Sequence, residues 1–444
     1  MGFYKVTTGA RKFKGQIFND VVRIISEEGI LRALEGFTKR HRIYHVWPLF
    51  QLFLHQVASN SSCRDTMAWG FANGLIPRDA SPKTSAYCNA RNDLPEGPLR
   101  GLALEMGWGV EAKARGREMF GGRRVKVVDG SSLQMEDTAA NQAAYPQPSE
   151  QKAGCGFPVM YFCGLMGLAT GALLDAAVGG RGHERALFRK LWPSLEREDI
   201  ILGDNGFASY AEFAELLKLG VDAVMCQRRG VLKTKRRSRI SNGEWLVHWD
   251  RPKTLGNWVG ADKLPPILIV RAIRCVIPDG YGKTKDTIIF TTLLDRKRFP
   301  KKKIAQLYHR RWEMELTLRH IKTTMKIEPL KCKRPKRCRC EFWMGLLAYN
   351  ILRAVMLDAA REGGLKPSRI SFKGAMKRLE KLEMSGFFND APKMAYKMLL
   401  EHMAQDHVPY RPGRHEPRRL KRRPKQFPLL NKPRYPAPNP PLPP

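Results

Sequence analysis

Four residues in the last third of the chain have types and a spacing that could hold phosphate beside a cation. Tyr308, Arg311, Glu315 and Lys322 stand 3, 4 and 7 residues apart. On one continuous helix, at about 100° per residue with Tyr308 as zero, Arg311 falls at about 300°, Glu315 at about 340° and Lys322 at about 320°. Glu313 falls at about 140°, on the other side. A phenol, a guanidinium, a carboxylate and an ammonium on one face suit a nucleic-acid backbone held next to a metal ion better than a hydrocarbon core. In isolation the same stripe also describes a solvated face with an Arg311–Glu315 pair at i,i+4.

Two more carboxylates give the stripe a context. Asp129 follows the alternating run Arg124-Val-Lys-Val-Val, and Asp204 follows Ile200-Ile-Leu-Gly, so each is expected at a strand end. Singly, each reads equally well as a turn former, Asp129-Gly130 above all. With Glu315 they make the all-oxygen ligand set that Mg²⁺ and Mn²⁺ prefer. Two such ions about 4 Å apart can activate the attacking oxygen and stabilise the leaving one at a phosphodiester.

The rest of the chain is suited to a polyanionic partner. Its 444 residues carry 78 Lys and Arg against 42 Asp and Glu, a formal charge of +36. Each phosphate neutralised by such a surface releases a condensed counterion. Nucleic acid therefore leads over an anionic membrane. Neither long apolar stretch is a credible span: Tyr161 to Gly180 carries Asp175, and Phe342 to Ala360 carries Asn350, Arg353 and Asp358. No export signal is read at the N-terminus, and Val6 stands where a myristoylation signal needs Ser or Thr. Nine scattered cysteines suit a reducing cytoplasm rather than a disulfide framework. Cys332, Cys338 and Cys340 lack a Cys-x-x-Cys pair and a second half-site, so they are read as thiols in a basic, DNA-facing loop rather than as a zinc site.

The elements that must position the candidate residues follow from periodicity. Residues 1–122 are read as a helical N-terminal DNA-binding domain. Two short helices there flank a Gly/Pro turn, which permits either a helix-turn-helix or an ordinary helical hairpin. Residues 123–226 show three strands, a helix, a strand, a helix and a strand, the order of a ribonuclease H-like mixed α/β domain. Residues 227–285, opening on the basic run from Arg228, are read as a β-rich insertion. Residues 286–365 complete the catalytic domain, with a strand from Thr287, one long helix from Lys301 to about Lys326 and another from about Glu341 to Glu362. Residues 366–408 form a helical region, and 409–444 a basic, Pro-rich tail that cannot bury a core.

These motifs resemble those of the DDE transposases of bacterial insertion sequences, in the group related to insertion sequence 4. That group's third motif, Tyr-x2-Arg-x3-Glu-x6-Lys, is complete here. Val127-Val-Asp-Gly-Ser-Ser resembles its first motif and Leu202-Gly-Asp-Asn-Gly-Phe its second, and the likeness runs from roughly Ser62 to Leu352. The resemblance implies that Asp129, Asp204 and Glu315 hold two Mg²⁺ ions, with Mn²⁺ as a substitute. It implies that Tyr308, Arg311 and Lys322 contact phosphates near the cut, and that Trp312 stacks near a displaced base. The substrates would be double-stranded terminal inverted repeats and target DNA, bound by a homodimer in the bacterial cytoplasm with no membrane involved. Many relatives carry Arg directly after the second Asp, where this chain has Asn205; Arg228 or Arg229 is then the expected phosphate contact. The competing reading is a non-catalytic nucleic-acid-binding protein, which accounts for the charge but gives no reason for three carboxylates in this order.

Overall fold

The computed structural model describes residues 26–35, 43–182, 184–227, 232, 236–253, 263–278, 284–384, 392–409 and 430–433. Arg228 and Arg229, residues 1–25 and 36–42 of the expected helical N-terminal domain, and most of the Pro-rich tail lie outside the described residues.

Among the described residues nine strands form one sheet. They are β1 (Val125–Gln134), β2 (Val159–Gly167), β3 (Leu173–Gly179), β4 (Ile200–Gly203), β5 (Asp222–Gln227), β6 (Arg236–Ser241), β7 (Glu244–Asp250), β8 (Ile267–Pro278) and β9 (Thr284–Thr291). Their order across the sheet is β3-β2-β1-β4-β5-β9-β8-β7-β6. The first three strands pair antiparallel, while β1–β4 and β4–β5 are parallel. This is the ribonuclease H-like arrangement expected from the element order. The strands of residues 227–285 do not build a sheet of their own. β9 pairs with β5, and β8, β7 and β6 extend the same sheet outward from it.

Before the sheet come α1 (Glu27–Ala33), α2 (Val46–Ala58), α3 (Cys63–Ala72), α4 (Thr84–Asp93) and α5 (Glu96–Glu111). The helix start at Cys63 is fixed by a capping box, in which the Ser62 hydroxyl accepts from the Asp65 amide and the Asp65 carboxylate accepts from the Ser62 amide. Then follow α6 (Ala139–Ala144), α7 (Glu184–Arg189) and α8 (Tyr210–Lys218), and after the sheet α9 (Lys301–His309), α10 (Trp312–Arg319), α11 (Pro335–Glu362), α12 (Phe372–Met384) and α13 (Pro392–Gln405).

The long helix α11 is the spine of the core and packs along α5. It is long and apolar enough to cross a membrane, yet 94% of its most apolar stretch is buried inside the protein. Its polar residues serve the packing. Asn350 donates to Ala103 O and Leu173 O and accepts from the Leu173 amide, and Arg353 donates to Thr170 O. A Cβ at Gly107 would stand 2.2 Å from Leu173 O, so glycine is what allows α5 this close to β3.

The segment from Cys332 to Cys340 is not a DNA-facing loop. Pro335 occupies the first turn of α11, where its missing N–H costs nothing. Cys332, Cys338 and Cys340 are all buried. Arg337, also buried, donates to the carbonyls of Arg91 and Leu94 at the end of α4. Arg337 thus caps a neighbouring helix, and the three thiols lie inside the core, while Lys333, Arg334 and Lys336 stay exposed.

Candidate active site

Asp129 does not end its strand. β1 runs on to Gln134, and Asp129 is paired with Gly164 of β2. What ends there is the parallel neighbour. The β1–β4 register pairs Val127 with Leu202, the last residues matched on that side. Asp129 and Asp204 each lie two residues beyond that pair, so the parallel register itself brings the two carboxylates to one edge of the sheet. Asp204 is held in place by accepting the Gly206 amide at 2.7 Å.

The third carboxylate arrives on α10. The chain from Lys301 onward is not one helix. Around Arg310 the amides bond three residues back rather than four, Arg310 to Leu307, Arg311 to Tyr308, Glu313 to Arg310 and Met314 to Arg311. Arg310 anchors this turn by donating to Leu168 O at 3.0 Å and to Glu313 at 2.7 Å. A second irregularity, a π-helical turn over His320–Thr324, follows α10. The single-helix wheel therefore fails in its angles, although Glu313 does turn away from the site and Glu315 into it. α10 packs over Gly164, opposite Asp129, where a Cβ would stand 2.9 Å from the Met314 methyl. Nothing in the sequence of β2 marked that glycine beyond its place inside an apolar strand.

Arg311 bridges the two elements. Its guanidinium lies 3.6 Å from Asp129 Oδ2 and donates to Glu315 Oε1 at 2.5 Å. Burial raises the Asp129 carboxyl to about 7, against the pull of Arg311 and with the added push of Asp204 and Glu315. Two carboxylates, Asp129 and Glu315, thus share one guanidinium, and Asp204 is within electrostatic reach of Asp129. Among the described residues no three His, Cys, Asp or Glu side chains already enclose a metal-sized space. The donor set still fits a hard divalent cation: all oxygen, short of positive charge, with a guanidinium standing where a cation would relieve Asp129 and Glu315.

The remaining candidates divide. Tyr308 is buried at 7% exposure and shares a hydrogen bond with the Cys226 thiol, within electrostatic reach of Arg311 and Asp204. Trp312 is 42% exposed beside them. Lys322 sits apart. It pairs with Glu328 at 3.3 Å, and Glu328 accepts the amide of Gln134 at the far end of β1. The residue that sequence reasoning passed over is Glu184, on α7. Its carboxylate lies against Gly130, the neighbour of Asp129, and a Cβ there would stand 2.5 Å from Glu184 Oε1.

Residues 120–351, more than half of the chain, match the family described as Transposase DDE domain. The chain belongs to that family. The transposase InsG for insertion sequence element IS4, from Escherichia coli (strain K12), is 26% identical over 321 residues, covering 70% of each protein. Among solved structures, the piggyBac transposase in a synaptic complex with hairpin DNA aligns over 90% of this chain and 85% of its own, with a TM-score of 0.44 and 11% identity. As a DDE transposase the protein acts on DNA, and the family's chemistry uses divalent metal ions.

Proposed function

We propose that this transposase binds the terminal inverted repeats of an insertion sequence, cuts a phosphodiester at each end and joins the freed 3′-hydroxyl to target DNA. Asp129, Asp204 and Glu315 hold the metal, two Mg²⁺ ions with Mn²⁺ as a substitute. When bound, the ions supply Lewis-acid activation of the attacking oxygen and charge stabilisation of the leaving one. The observation that carries this reading is the half-buried Asp129 carboxyl, within electrostatic reach of Asp204 and Glu315 and sharing the Arg311 guanidinium with Glu315.

The chain's own groups do the positioning. Gly164 and the Arg310 turn seat α10 so that Glu315 faces β1. Arg311 holds Asp129 and Glu315 together in the resting protein, and a DNA phosphate offers its guanidinium a bidentate partner once the carboxylates are otherwise engaged. Tyr308 backs Arg311 from the β5 side. Trp312, exposed at the rim, stacks on a base displaced near the cut, and Arg228 or Arg229 supplies the phosphate contact that Asn205 does not. Lys322 contacts the backbone from the far end of β1. Two DNA ends must be handled together, so the working form is a homodimer on DNA in the cytoplasm.

The test is cleavage of a labelled duplex carrying the element's own end, with Mg²⁺. Asp129→Asn and Glu315→Gln are expected to reduce cleavage to background while a mobility-shift assay shows unchanged binding. Cleavage at the wild-type rate by either variant removes that residue from the active site.

A further inference from the structure

The helix α7 carries a carboxylate that the three-residue site does not account for. Glu184, Leu187 and Phe188 stand at i, i+3 and i+4, the spacing of one helix face. Leu187 and Phe188 are buried, at 2% and 0% exposure. Leu187 lies against Gly179 of β3, and Phe188 meets Phe207 edge-on at 5.5 Å. Arg189 pairs with Glu212 of α8 at 2.6 Å, fixing the helix from its other end. The sheet-facing stripe therefore ends at its N-terminal edge in an exposed acid.

That acid is aimed at the site. Glu184 Oε1 lies over Gly130, next to Asp129, and Glu184 Oε2 lies 3.7 Å from the place a Cβ of Gly206 would take. Asp204 Oδ1 lies 2.9 Å from the same place. Two bare glycines thus make the cleft in which the Glu184 and Asp204 carboxylates face each other. The Cys163 thiol, on β2 opposite Gly130, is within electrostatic reach of Asp129, Glu184 and Asp204 together. Glu184 itself is exposed, so solvent and ions can reach its carboxylate. Among the described residues Glu184 has neither an ion pair nor a hydrogen bond. Partial burial and the like charge of Asp204 raise the Glu184 carboxyl above its ordinary range, and a cation placed between the two carboxylates would relieve that repulsion.

We propose that Glu184 is a fourth metal-holding carboxylate of this transposase, sharing with Asp204 the cation on the β4 side of the site. The inference rests on the reading of Asp129, Asp204 and Glu315 as the metal centre. It gives Gly130 a defined purpose: any side chain there pushes Glu184 off the site. Gly130 has no positive φ, and the group it would displace is the mobile end of a side chain, so Gly130→Ala keeps the fold while moving the acid.

The experiment is titration of the full-length protein with Mn²⁺ alone, reading free Mn²⁺ by electron paramagnetic resonance, for wild type, Glu184→Gln, Gly130→Ala, the double variant and Asp129→Asn. Glu184→Gln is expected to weaken Mn²⁺ binding roughly 10-fold, within the range seen when groups supporting a metal site are lost. Gly130→Ala should do the same, and the double variant should be no worse than either alone. Wild-type Mn²⁺ affinity in Glu184→Gln, with Asp129→Asn still impaired, overturns the role of Glu184 and leaves the three-carboxylate site standing. Multiplying effects in the double variant likewise overturn it. No Mn²⁺ binding by the wild type overturns the underlying reading and this inference with it.

Discussion

Lys126 and Asp129 stand three positions apart on β1, and the treatment of charge at the two is opposite. Lys126 is fully buried and fully answered. Its ammonium lies 2.5 Å from Asp199, donates to Ser194 O at 3.1 Å and sits 4.4 Å from the Trp108 ring centre. Asp129 is half-buried, its cation is 3.6 Å away and shared with Glu315, and it accepts one hydrogen bond, from the Gly130 amide. One end of the strand closes its electrostatics within the fold. The other leaves a deficit of positive charge, which is the property a metal-dependent site must have before its ions arrive.

The sharpest way to break the comparison is to remove each charge in turn. Lys126→Ala strands Asp199 in the interior and is expected to cost about 3–5 kcal/mol in urea unfolding. Asp129→Asn is expected to cost nothing at neutral pH. Equal losses in the two variants would mean that Asp129 is a structural acid like Asp199.

The second expectation is a pH dependence. Because burial raises Asp129 to about 7, the folded chain keeps a proton that the unfolded chain releases near 4. Between those values the folded state binds more protons, so stability falls as pH rises through the window. In metal-free buffer, calorimetry from pH 5 to pH 8 should show a shallower decline in melting temperature for Asp129→Asn than for wild type. The slope that remains includes Glu111, which burial also raises to about 7. Identical slopes in the two proteins contradict the assignment of a desolvated carboxyl to Asp129.

The smallest effect on the fold belongs to Trp312. Being 42% exposed, its replacement by Ala should change stability by less than about 0.5 kcal/mol. Its loss should weaken binding of a duplex with an unpaired base at the element end by about 1–3 kcal/mol, the worth of one aromatic stack. A weakened fold with unchanged binding would place Trp312 in packing instead.

The sheet was readable in the sequence wherever a strand alternated or ran apolar: β1 to β5 fall where periodicity puts them. Asp129 was misplaced because Gly130-Ser131-Ser132 reads as a turn, whereas pairing with β2 carries the strand through to Gln134. The break at Arg310 has no Gly or Pro to announce it and depends on Leu168 O, a carbonyl 142 residues earlier. Pro335 looked like a loop residue because nothing local distinguishes a proline that opens a helix from one that ends it. Glu184 was invisible for the same reason as Gly164: its meaning lies in a glycine on another strand. Side chains that act through a bare neighbour leave no spacing signature, while the Tyr308 to Lys322 run leaves one even where the helix beneath it is broken.

The most direct test of the central claim is anomalous diffraction from crystals of the transposase soaked in Mn²⁺. The account predicts Mn²⁺ peaks coordinated by Asp129, Asp204 and Glu315, with the Arg311 guanidinium withdrawn from between Asp129 and Glu315. Arg311 still bridging those two carboxylates, with Mn²⁺ bound only elsewhere on the chain, would contradict it.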